Sequence, residues 1–353
     1  MRPTHMGGEW GDISMARLRI RDIAEQAGVS PATVSRYLNN QPGQMSDETR
    51  KRIAEVIERT GYRPRSAARN LRQDRSHLVG VMLADVSNPY SSAMLEALSA
   101  CAEQRGLSLI TSFSGGDSAT EAAAIARLVD MGVDGLVVNT CGGNDEVLAS
   151  AAARVPLVLL DREVEGAPAD LVTSNNGELV QQLVDKLAAA SCEQCFMLTE
   201  RGDESSPRRI RARAFEQELE RHSLPGRVVS LGDGAEASEQ MDELLRAAAG
   251  RRLGVIAVNG AVFLRLVDAI AQIGPALPAG LRIATFDDYP WNHVLFGGVT
   301  TAAQDTRGIA AAVLDRLAER VDGAEMSPRA LVEAACEHVE VPGTVVERSS
   351  TRP

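Results

Sequence analysis

The sequence predicts a small all-α N-terminal domain, residues 16–64, joined through residues 65–76 to a large α/β body, residues 77–353. Three observations carry this. Residues 20–38 hold two short apolar patterns at helical spacing on either side of a turn. From Leu78 onward, β-type runs alternate with helical segments in two successive series, which implies two doubly wound parallel-sheet subdomains with a cleft between them. The charge is also divided: residues 16–76 carry a net +6 and residues 77–353 a net −16, within an overall −11. A basic head on an acidic body confines any affinity for polyanions to one segment.

In the head, Ile20, Ile23, Ala24 and Ala27 share one face of a first helix, and Ala32, Val34, Tyr37 and Leu38 mark a second. Gly28 suits the left-handed position that ends the first. Ser30 is placed to cap the second, and Pro31 fits its first turn, where no amide donor is needed. Helices joined this closely meet steeply, in the helix-turn-helix geometry that places a helix in the DNA major groove. A plain helical hairpin fits these residues equally well, and the rest of the first eighty residues decides between the two. The second helix exposes Pro31, Ala32, Thr33, Ser35 and Arg36 and buries Val34 and Leu38. After the turn-rich NNQPGQM, Ser46 opens a third helix whose Ile53, Val56 and Ile57 cover the first two, and Gly61 stops it. Arg50, Lys51 and Arg52 on this helix are candidate phosphate contacts or simply a solvated face.

The run AGVSPATVSRYLNN resembles the signature of the lactose-repressor (LacI/GalR) family of bacterial transcription regulators, and the similarity extends from about Arg19 to the last strands. The resemblance implies DNA contacts from Arg19, Ser30, Pro31, Ala32, Thr33, Ser35, Arg36, Asn39 and Ser46. Of these, Arg36 suits a guanine edge and Ala32 a thymine methyl. It further implies that YRPRSAARNLRQDRS is a hinge that becomes helical on the operator, with Ala68 on that helix and Leu71 as a minor-groove wedge. Arg65 stands where the family usually has Asn, which leaves Ser66 to cap the hinge helix.

In the body, LVGVML, LSLI, GLVVN and PLVLL form the first series of strands, and CFMLT, RVVSL, GVIAV and LRIATF the second. The resemblance adds that this body is periplasmic-binding-protein-like, with the chain crossing between subdomains near Thr173, Thr301 and Ala334. The N-subdomain is then about 77–173 and 302–334, and the C-subdomain about 174–301 and 335–353. Ligands of open parallel sheets gather at the carboxyl ends of strands. The polar residues there are Asp85, Asn88, Tyr90, Asn139, Thr140, Asp161, Arg162, Asn259, Asp287 and Asp288. By resemblance, the family's effector contacts fall on Asp161, Arg211, Asn259 and Asp287, and more weakly on Asn88, Tyr90, Arg162, Trp291 and Gln304. An arginine fork at Arg211 would grip a carboxylate or hydroxyl pair at two points, while its neighbours Arg208, Arg209 and Arg213 solvate the helix. LADVSNPYSSAM, GLVVNT, LLDRE and FDDYPWNHVLFGGVTTAAQDT resemble the branch that answers to keto-sugar or aldonic acids.

Other classes fit poorly. LGDGAEAS has the wrong spacing for a dinucleotide loop, and no Walker motif or nucleophile elbow is present, so neither an enzyme nor a cofactor is expected. Cys192-x-x-Cys195 stands without a second pair, which favours burial beside a strand over zinc. A transport-type sugar-binding protein would need a signal segment and no basic head. With five cysteines in 353 residues and no long apolar run, a reduced cytoplasmic setting with no membrane contact is expected. Residues 1–15 read as a disordered leader, with Met15 an alternative start. CEHVEVPGTVVERSSTRP reads as a strand and frayed end rather than tetramer-forming heptads. The partners implied are operator DNA, a small-molecule sugar or sugar-acid effector and a second copy of the chain, as a homodimer.

Overall fold

The computed structural model describes residues 18–38, 45–62, 75–200, 205–232, 234–247, 250–273, 279–326, 331 and 335–352. The chain divides into two compact units after Ser76. The first contains α1 (Ile20–Ala27), α2 (Pro31–Leu38) and α3 (Asp47–Thr60). Arg19 N–H donates to Asp22 Oδ2 at 2.5 Å, closing the start of α1, and Gly28 ends it at φ 64°. Ser30 Oγ accepts from Thr33 N–H at 3.2 Å, and Ser46 Oγ accepts from Thr49 N–H at 3.3 Å, capping α2 and α3. Ile23, Ala24, Ala27, Val34, Ile53 and Val56 are buried together, with Leu38, Tyr37 and Tyr62 packed around them. Asn39, Ala68 and Leu71 lie outside the described residues.

The second unit holds two six-stranded sheets of matching topology. The first contains β1 (Leu78–Leu83), β2 (Ser108–Phe113), β3 (Gly135–Asn139), β4 (Leu157–Leu160), β5 (Asp170–Ser174) and β11 (His338–Val341), in the order β11-β5-β4-β3-β1-β2, all parallel. The second contains β6 (Gln194–Glu200), β7 (Gly226–Leu231), β8 (Leu253–Ala257), β9 (Leu281–Phe286), β10 (Thr300–Ala303) and β12 (Thr344–Val346), in the order β12-β10-β9-β8-β6-β7. Among the described residues, its one antiparallel ladder pairs β10 with β12. Helices α4 (Pro89–Gln104), α5 (Ser118–Asp130), α6 (Asp145–Ala152) and α11 (Thr306–Met326) accompany the first sheet. With the second run α7 (Asn176–Ala189), α8 (Ser206–His222), α9 (Gly234–Ala247) and α10 (Gly260–Ile273). Cys192 and Cys195 are both buried in the second core at the start of β6.

The chain passes from the first sheet to the second after Ser174, returns after Ala303, and passes again between Val341 and Thr344. This corrects the expected third crossing near Ala334. The His338–Val341 strand first pairs with β5, so the chain changes sheets about eight residues later, at Pro342 and Gly343. Gly343 is required there: a Cβ would come within 2.7 Å of Ala303 O, while its N–H donates to Asn175 Oδ1 at 2.8 Å. All three crossings therefore touch.

The C-terminal end is anchored rather than frayed. Ser350 Oγ donates to Ile283 O at 2.7 Å and accepts from Thr300 N–H at 2.9 Å, and Ser350 and Thr351 are buried. At the other sheet's edge, fully buried Asp170 accepts from Arg316 Nε at 2.9 Å, Arg320 Nη2 at 2.6 Å and Glu337 N–H at 2.9 Å. Burial alone would raise its pKa, but these donors outweigh it and hold the carboxyl below the usual range. Its contribution to stability is therefore complete above about pH 4 and is lost as pH falls through the depressed value. Asp170→Ala, which takes the carboxylate from buried Arg320 while Arg316 keeps Glu319 and Glu337, should cost about 3–5 kcal/mol in urea unfolding at neutral pH, and a loss below about 1 kcal/mol would contradict this role.

Candidate functional site

Two surfaces follow from this fold. On the head, α2 presents Pro31 and Ala32 fully exposed and Thr33, Ser35 and Arg36 half-buried, while Val34 points into the core. A short helix with a solvent-facing outer side after a tight turn is the arrangement that enters a major groove.

The second surface is the cleft between the two sheets. Asp161 follows β4 and Asp287 follows β9, which are equivalent strands of the two sheets. Both adopt left-handed backbone, with φ 67° and 69°. Each N–H donates to the neighbouring strand, Asp161 to Val172 O at 2.8 Å and Asp287 to Ala302 O at 2.9 Å. Left-handed non-glycine residues in equivalent places at a cleft are a mark of function. Between them lies Arg211, buried on α8, with its guanidinium carbon 3.8 Å from the Phe286 ring centroid. Its Nε donates to Asn176 Oδ1 at 2.7 Å and its Nη1 to Val258 O at 2.7 Å. These bonds use two of the five guanidinium N–H groups and leave one on Nη1 and both on Nη2 for a ligand.

Burial pushes the carboxyls of Asp161 and Asp287 up, and Arg211 pulls both partly back. Burial likewise lowers the Arg211 pKa, opposed by the two aspartates. The floor is wired to the crossings. Gln304 Nε2 donates to Asp287 Oδ1 at 2.6 Å while its Oε1 accepts from Ser174 Oγ at 2.7 Å. Asn176 Nδ2 donates to Thr173 Oγ1 at 3.3 Å, and that hydroxyl donates to Asp161 Oδ1 at 3.4 Å.

Two neighbouring cavities that share part of their lining are present. A small inner one of about 30 Å³ is lined by Asn88, Tyr90, Asp161, Arg211, Asn259, Asp287 and Gln304. An outer one of about 600 Å³ is lined by Asp85 and Glu163, among others. Asn88, Arg162, Ser205 and Arg208 line both and form the neck. Inside, Tyr90 Oη and Asp287 Oδ2 are buried without a hydrogen-bond partner among the described residues, a costly condition that a hydroxyl-bearing ligand would relieve. Asn259 caps α10 through Val262 N–H at 2.8 Å and keeps its amide toward Glu200.

Most of the sequence-predicted ligand residues thus converge, with two displacements. The Asp85 carboxylate lies in the outer cavity, engaged by Ser87 N–H and Oγ at 2.8 Å each. Trp291 lines neither cavity, stacking instead on Tyr289 at 4.6 Å beside the second core. Arg265 on α10 and Glu200 on β6, which line the outer cavity, were not foreseen. A lone arginine amid the apolar run FLRLVDAI was the available signal for the first.

A helix-turn-helix head on a two-lobed body with a polar cleft defines a ligand-responsive DNA-binding transcriptional regulator. The lacI family model of bacterial regulatory proteins matches residues 19–65, and a periplasmic binding protein domain model matches residues 79–325. The chain is 35% identical over 322 residues to the HTH-type transcriptional regulator PtxS of Pseudomonas plecoglossicida, covering 90% of this chain and 94% of that one. It belongs to the lacI family. It is also 28% identical over 317 residues to the HTH-type transcriptional regulator KdgR of Bacillus subtilis (strain 168), covering 88% and 94%. In fold it is similar to the lac repressor dimer bound to operator and the anti-inducer ONPF, with a TM-score of 0.79 at 24% identity, covering 95% and 99%.

Because the Tyr90 hydroxyl is buried without a partner among the described residues, Tyr90→Phe should leave the unfolding free energy unchanged or raise it by about 1 kcal/mol. A loss above about 1 kcal/mol in thermal or urea unfolding would show that the hydroxyl serves the fold.

Proposed function

We propose that this regulator is a cytoplasmic, non-enzymatic repressor of sugar or sugar-acid catabolism genes, and that a polyhydroxylated small molecule in the cleft releases it from DNA. One observation carries the ligand reading: Asp161 and Asp287, from equivalent strands of opposite sheets, face one buried arginine and are hydrogen-bonded to the crossing segments. Carboxylates accept from hydroxyl pairs, and a ligand held by both sheets favours one spacing of the lobes over another. The relatives named as regulators, and the sucrose operon repressor of Klebsiella pneumoniae at 26% identity, support the repressor reading.

The DNA is met by two copies on a near-palindromic operator, since one short recognition helix reads only a few base pairs and two-fold symmetry doubles the site. Arg36 reads a guanine and Ala32 packs on a thymine methyl, with Ser30, Pro31, Thr33 and Ser35 at the start of α2 or on it, and Arg19 and Ser46 at the N-caps of α1 and α3, as further contacts. Asn39, Ala68 and Leu71 complete this interface in the resemblance-based reading. The experiment is fluorescence anisotropy of the purified protein on labelled duplexes from its own genomic neighbourhood, with and without sugar acids. Specific binding that weakens with ligand is the expected result; indifference to every duplex refutes it. Arg36→Ala should weaken the specific duplex by about 1–3 kcal/mol and relax sequence choice, whereas equal loss on all duplexes would make Arg36 a phosphate contact.

A further inference from the structure

We propose that the outer cavity is an anion subsite in which Arg265, with Arg162 and Arg208, takes a carboxylate or phosphate at the far end of a ligand whose hydroxyls lie on the Asp161–Asp287 floor. This rests on the reading of the cleft as a sugar site and adds where its acid group goes.

Space gives the first argument. The inner cavity, about 30 Å³, holds roughly one water-sized group. A six-carbon ligand that reaches the floor must therefore extend through the Arg162–Arg208 neck into the 600 Å³ beyond.

Charge gives the second. The floor already carries two buried carboxylates against one guanidinium, two of whose N–H groups the protein holds. An acid placed there meets its own sign of charge in a poorly solvated site. The outer cavity has the opposite balance. Among the described residues, Arg162, Arg208, Arg209 and Arg265 line it against Asp85, Glu163 and Glu200. The Asp85 carboxylate is bonded to Ser87, and Glu200 lies 2.6 Å from Arg208.

Arg265 is the distinctive member. It is half-buried on α10, its Nη2 donates to Gly232 O at 2.6 Å, and among the described residues it forms no ion pair. A half-buried guanidinium that meets no carboxylate among the described residues has donors to offer, and a planar fork suits a carboxylate or phosphate. Arg265 stands six residues beyond Asn259 on the same helix, about 9 Å of helical rise from the floor. The site thus separates a hydroxyl-binding end from an acid-binding end.

The test is calorimetric titration of the full-length protein with D-gluconate, D-gluconate 6-phosphate and the neutral D-glucitol. Wild type should bind at least one of the acids tenfold or more tightly than glucitol. Arg265→Gln should reduce that ratio below threefold, and Arg265→Lys should keep it above fivefold. Preference confined to gluconate assigns the subsite to a carboxylate, and preference confined to the phosphate assigns it to a phosphoryl group. Should Arg265→Gln fail to fold by its thermal melt, Glu163→Gln supplies the reading, because removing that acid should raise the ratio at least threefold. A ratio unmoved by these substitutions, or acids bound no better than glucitol by wild type, overturns the proposal. Asp287→Asn separates it from the cleft reading. If that variant weakens every bound probe while Arg265→Gln leaves the ratio intact, the cleft stands and the anion subsite falls. If Asp287→Asn changes nothing, the cleft reading fails and the subsite with it.

Discussion

The structure of the body turns on one arrangement: a buried guanidinium, Arg211, facing two buried carboxylates that come from different sheets. Neither Asp161 nor Asp287 is within ion-pair distance of it among the described residues, so the three groups surround a space instead of collapsing on one another. Arg211 is kept from closing that gap by Asn176, by the Val258 carbonyl and by the Phe286 ring beneath it. Burying three ionisable groups with incomplete pairing is expensive, and a domain retains such a cost where a ligand completes the set.

The same groups tie the cleft floor to the segments where the chain passes between the sheets. Asp287 is bonded to Gln304 and Asp161 to Thr173, residues within or beside the crossing segments. Those segments are in turn joined by Ser174 to Gln304 and by Gly343 to Asn175. Whatever changes the spacing of the two carboxylates is applied where the two sheets are hinged together. Coupling of this kind needs two arrangements of the crossings with different ligand affinities and no long chain of intermediaries.

Much of this was legible in the sequence. The helix-turn-helix pattern, with Gly28 and Ser30 as punctuation, is written in local rules that the structure obeys residue by residue. The eight core strands are apolar runs that parallel sheets require on both faces. Asp161, Asn259 and Asp287 were visible as the polar residues following such runs. What sequence did not show depends on long-range pairing. His338–Val341 is too short and too polar to announce which sheet it joins, and only its ladder with β5 moves the third crossing to Pro342–Gly343. Ser350 and Thr351 look like a polar tail until Thr300 and Ile283 bind them. Trp291 came to the ligand set by resemblance alone, and no local rule shows that its neighbour Tyr289 claims its face. Arg208 differs for another reason: the four arginines of SPRRIRARAF are indistinguishable by composition, resemblance singled out Arg211, and α8 alone brings Arg208 to the cavities as well.

The central claim is that the cleft and the DNA-binding head share one equilibrium. Linkage offers the most direct measurement: the affinity of a cleft ligand for the full-length protein, free and saturated with operator duplex, beside the affinity of the operator with and without that ligand. The account predicts that the two ratios are equal and differ from one by at least fivefold. A ligand bound equally well by the free protein and the DNA complex would contradict it.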